Sequence, residues 1–134
     1  LEESRGQAAV EFVLVLSVLT TILFLAAEIG MALNVRLIVA GAAREGARRA
    51  AIEGGDLPSV RNAIDKQLSL AGCLDSTETV VEITPSTASY GTPVEVSVQV
   101  TYRWRTPVGR ALLGATFEIK SEAVSRSEKV RTGT

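Results

Sequence analysis

Two carboxylates stand out among the residues able to do chemistry. Glu11 and Glu28 bracket a run, Phe12 to Ala27, that carries no charge. An acid in a membrane-type helix costs about 2.5–3.5 kcal/mol at the bilayer centre, so it marks a function or a partner. Placement among headgroups at the two ends of the run is the plainer alternative. Little other chemistry is on offer. With no histidine in the chain, imidazole triads, His-ligated metals and a near-neutral proton shuttle are excluded. The single cysteine, Cys73, rules out an internal disulfide and any CxxC motif. Without an imidazole to lower its pKa, it reads as a small packed residue. There is no Ser-x-x-Lys, Gly-rich phosphate loop, useful carboxylate pair or ligand cluster. Glu82, Glu95, Glu118 and Glu122 alternate with apolar residues, which is the pattern of a solvated strand face. No enzyme, cofactor or metal is expected. A net charge of −1 and 4% aromatic residues give no case for nucleic acid.

The element that must position the two acids is a long helix. From Ala8 to Ala27, about 20 residues cover about 30 Å, one hydrocarbon core. The run is apolar on every side, unlike the amphipathic helix of a soluble domain. A cleaved secretory signal is the other source of such a run, but Arg5 against Glu2 and Glu3 makes a poor positive flank. The helical pattern continues without proline to Glu53, where Gly54-Gly55 stops it. Along its second half Ala42, Gly46 and Ala50 recur every four residues, a row that lets helix backbones approach closely. Glu45 and Arg49 form a favourable i,i+4 pair.

Leu57 to Leu70 predicts an amphipathic second helix, with Asp56 as its N-cap and Pro58 in its first turn. Three strands follow: Glu78 to Thr84; Val94 to Trp104, with strict alternation; and Ala115 to about Val130, bulged where Ala123-Val124 breaks the pattern. Thr106 to Gly114 reads as a long loop, and the tail from Arg131 as frayed. The expected fold is α+β: a long N-terminal hydrophobic helix continuing into a head of one further helix and a three-stranded antiparallel sheet. Such a small sheet needs cover, and the upper half of the long helix can supply it. No linker divides the chain. The organisation expected is a flank over 1–7, a membrane or filament-core half-helix over 8–33, and a head over 34–134.

The order of three segments is similar to one family. Arg5-Gly6-Gln7-Ala8-Ala9-Val10-Glu11-Phe12 leads into the apolar run, which ends Ala27-Glu28-Ile29-Gly30; Ala42-Ala43-Arg44-Glu45-Gly46-Ala47-Arg48 follows. Together they resemble the TadE-like family of pilins and pseudopilins. The resemblance spans about the first 50 residues, and in the head only the character of the final strand is shared.

The resemblance implies a non-enzymatic pilin of a tight-adherence pilus, related to type IV pili. Such a subunit is held in the bacterial inner membrane, trimmed by a prepilin peptidase, and passed by an assembly platform into a surface filament for attachment. Its partners would be copies of itself, the peptidase, the platform and, before assembly, the membrane. Gly6 and Gln7 would flank the cut, making Glu11 the fifth mature residue, paired with a neighbour's N-terminal amine. The chain starts at Leu1 rather than Met, as expected of upstream processing. A mature chain beginning there would leave Arg5 as the cation for a neighbour's Glu11. Contacts between copies would further involve Phe12, Glu28, Ala42, Gly46 and Ala50. The alternatives are a low-copy pseudopilin that primes assembly, and a single-pass anchor for an extracytoplasmic binding domain.

Overall fold

The computed structural model describes residues 2–72 and 79–129, with the side chains of residues 2–5 outside the description. The elements run α1 (Glu2–Glu53), α2 (Pro58–Ser69), β1 (Thr79–Thr84), β2 (Pro93–Arg103), α3 (Pro107–Leu113) and β3 (Thr116–Arg126). The sheet has the order β1-β2-β3 and is an antiparallel meander, so the expected α+β fold is the one observed. The chain divides into two compact units, through both of which α1 runs.

The larger unit, Ala32–Tyr102 with Phe117–Thr134, is the head. Its sheet follows from alternation. Val94, Val96, Val98, Val100 and Tyr102 of β2 are buried while Glu95 is exposed. The register sets Ile83 opposite Val96 and Val81 opposite Val98, so the apolar sets of both strands share one face. That face is covered by helices. Val35, Val39, Ala42, Ala43, Ala47, Ala50 and Ala51 of α1 are buried, as are Val60, Ile64 and Leu68 of α2. Gly46 is where the layers meet most closely. A Cβ there would stand 2.7 Å from Ile64 Cδ1 and 3.3 Å from Val96 Cγ1.

The end of α1 is held by the chain's last described residues, which no sequence pattern announced. Gly54 and Gly55 N–H groups donate to the Ala50 carbonyl at 2.8 and 2.9 Å. Gly55 has φ of +130°, and a Cβ on it would lie 2.1 Å from the Ser86 carbonyl oxygen. Two of the remaining carbonyls of the last turn, orphaned in any helix, are taken up from afar. Glu128 N–H donates to Ala51 O at 2.9 Å, the buried Ser127 hydroxyl to the same oxygen at 3.2 Å, and Lys129 Nζ to Glu53 O at 2.8 Å. A cation at a helix C-terminus also suits the macrodipole.

Four expectations need correction. The helix cap of α2 is Leu57, with no side-chain bond; Asp56 instead accepts Arg61 Nη2 at 2.5 Å and Nε at 2.8 Å. Both of its oxygens are engaged by the guanidinium in charge-assisted bonds. The stretch taken as a loop contains α3, with Pro107 at its start and the Thr106 hydroxyl accepting the Gly109 N–H at 3.0 Å. The third strand keeps its inward–outward alternation from Ile119 to Arg126, so Val124 is an outward apolar residue and not a sign of a bulge. Finally, β3 ends at Arg126, short of Val130, because the next residues turn to cap α1. Cys73 and the tail from Val130 lie outside the described residues.

Candidate membrane and assembly site

The smaller unit, Leu1–Met31 with Arg103–Thr116, holds both acids singled out in the sequence. From residue 6 to 27, every residue of α1 is exposed except Thr21 and Leu25, which are half-buried. Val10, Phe12, Leu14, Val18, Leu19 and Leu23 all stand out from the protein. The helix is long and apolar enough to cross a membrane, and the apolar part is not packed inside the protein as a core helix would be. Its hydroxyls are satisfied within the helix: Ser17 Oγ, Thr20 Oγ1 and Thr21 Oγ1 donate to the carbonyls of Val13, Leu16 and Ser17, each at 2.8 Å. A polar group bonded in this way needs no water, which suits hydrocarbon surroundings. Glu11 is exposed on this helix, as are Gly6, Gln7 and Phe12. Arg5 belongs to α1, its side chain outside the described residues.

Glu28 is placed differently. It is fully buried, and its carboxylate is bonded inside its own chain. Thr106 N–H donates to Oε2 at 3.1 Å, and Arg105 N–H donates to Oε1. A Cβ on Gly109 would lie 3.2 Å from Glu28 Cδ, so the first turn of α3 fits closely over the carboxylate. An ionised acid taken from water is tolerable only with such donors. Glu28 therefore needs no headgroup or neighbouring subunit to satisfy its oxygens, which accept backbone N–H groups of its own chain. No sequence pattern announces this pairing, whose donors lie 77 and 78 residues further along the chain.

Ala42, Gly46 and Ala50 are buried within the head, and at Gly46 the close approach is to Ile64 and Val96 of the same chain. Beside them, Glu45 accepts Arg49 Nε at 2.8 Å and Arg48 Nε at 3.1 Å. These bonds, from Arg48 first and then Arg49, hold the Glu45 carboxyl below its ordinary pKa. Among the described residues no group of three or more Cys, Asp or Glu is placed to hold a metal ion.

An exposed apolar half-helix running on into a small α+β head defines a pilin-like protein. The model of the family described as TadE-like protein matches residues 6–48, so that segment of the chain is similar to TadE-like proteins. The matched segment takes in Gly6, Glu11, Glu28 and the Ala42-to-Arg48 motif. No curated protein and no solved structure matches the chain.

Proposed function

We propose that this protein is a structural pilin of a tight-adherence pilus. It waits in the bacterial inner membrane on the first half of α1, and then polymerises through that half into a helical surface filament for attachment. The observation that carries the reading is the exposed apolar half-helix, with Glu11 its one acid between Gly6 and Ala27, inside the family segment. An apolar surface of that extent demands either lipid or other copies. A head-to-tail contact repeated without closing gives a fibre. Within the filament core Glu11 loses water and needs a cation: the amine of Gln7 if the peptidase cuts after Gly6, or Arg5 if it does not. The prepilin peptidase and the assembly platform are the remaining partners.

The test is Glu11→Ala, followed by shearing surface filaments from cells and comparing them with the membrane fraction. Loss of the sheared filaments with membrane insertion unchanged is the expected result. A normal filament yield would overturn the partner role of Glu11. Recovery of the wild-type protein only in membranes, or at trace level in filaments built of another chain, would replace the reading by an anchor or a priming pseudopilin.

A further inference from the structure

The segment Arg103–Thr116, which forms one compact unit with the first half of α1, has a composition unlike the rest of the head. It contains three arginines and no acid. Its helix α3 ends on Leu112 and Leu113, 63% and 45% exposed side by side. Two exposed leucines beside arginines fit a membrane surface, where the apolar face dips in and the guanidinium groups meet phosphate.

The position of the segment along α1 is fixed by Glu28. That residue stands directly after the uncharged run Phe12 to Ala27, at the level where hydrocarbon must give way to headgroups. Its carboxylate binds the N–H groups of Arg105 and Thr106, and α3 begins at the next residue, Pro107. Thr21, Leu25 and Glu28 lie on one face of α1 and are the only residues from 6 to 30 that are not fully exposed. The cover over them therefore extends toward the apolar side of Glu28.

We propose that α3 is an interfacial membrane element. Leu112 and Leu113 enter the acyl layer of the bilayer that α1 crosses, while Arg105 and Arg110 bind phospholipid phosphates. This rests on the reading that residues 8–33 insert in a membrane. The occupant is a lipid surface, favoured over a protein partner by the all-basic charge and by continuity with an apolar helix in the same unit. The buried Glu28 then acts as a depth stop: it ties the interfacial element to the end of the span, fixing how far α1 is sunk before assembly.

The full chain carrying Cys73→Ser is reconstituted into phosphatidylcholine vesicles, with and without phosphatidylglycerol. Spin labels are placed singly at positions 18, 95 and 112 by cysteine substitution. Accessibility to oxygen against a water-soluble nickel chelate gives depth. The label at 112 is expected to be severalfold more protected from nickel than the one at 95, and shallower than the one at 18. Adding Arg110→Glu should raise nickel access at 112 in the phosphatidylglycerol vesicles. Trp104, the one tryptophan, supplies a check on the unlabelled chain through quenching by brominated lipids. A label at 112 as water-exposed as that at 95, with position 18 deep, would overturn the proposal and leave the membrane span standing. Nickel access at position 18 would overturn both. No effect of Arg110→Glu would overturn phosphate binding by that residue.

Discussion

At the residue scale, one carboxylate and two glycines carry most of what is specific. Glu28→Ala removes the acceptor for the Arg105 and Thr106 N–H groups, and a buried donor without a partner costs about 1–3 kcal/mol. The loss is local: amide exchange should accelerate at Arg105, Thr106 and Gly109 and stay unchanged at Val96. Uniform exchange in mutant and wild type would contradict it. Gly55→Ala combines a positive φ with an approach of 2.1 Å to Ser86 O. It should destabilise the head by more than about 1 kcal/mol in denaturant unfolding. Gly46→Leu drives a side chain into Ile64 and Val96, and overpacking of this kind costs about 1–3 kcal/mol. Glu45 supplies a pH dependence. Its folded pKa lies below the ordinary 4.5, so in acid the unfolded chain takes up the proton first. The contribution is complete above 4.5 and is lost as pH falls through the folded value. Both arginines are well exposed, so the effect is small and screened by salt. Glu45→Gln should flatten that part of the stability profile, read as unfolding midpoints across the acid range.

At the element scale, how much could be read in advance depended on how many residues repeat the same signal. The strict alternation of β2 and the apolar positions of α2 each state their period several times, and both elements stand within a residue or two of the expected bounds. The glycine pair set the end of α1 at Glu53. Seven residues of α3 give no repeat to detect; its signature lay only in Thr106, Pro107 and Gly114, residues that also mark loops. The apolar outward Val124 mimicked a change of register. The partners of Glu28 and the capping of α1 by Ser127, Glu128 and Lys129 join distant stretches, and each bond has a backbone group on at least one side, which is the same in every residue and leaves no trace in side-chain order. The cap makes β3 and the end of α1 one stability element. Ser127→Ala strands a buried bond to Ala51 O, and a loss of about 1 kcal/mol should appear as faster exchange in the last turn of α1. An unchanged last turn would show that the Glu128 N–H suffices.

At the scale of the whole molecule, one helix serves two environments. Residues 32 to 51 of α1 supply a buried row to the head, while residues 6 to 27 keep an apolar surface bare apart from the partial cover at Thr21 and Leu25. The same sequence periodicity would not serve both. The buried half is made of small residues that admit close packing, and the bare half of large apolar ones that suit lipid or the tails of other copies. On the proposed reading, a subunit so divided leaves the membrane for a filament core without refolding its head. Electron cryomicroscopy of sheared surface filaments, with mass spectrometry of their dominant chain, tests this most directly. The reading predicts this chain as the repeating subunit, with residues 8–27 inside the core and the head outside. Filaments built from a different chain, with this one confined to the membrane, would contradict it.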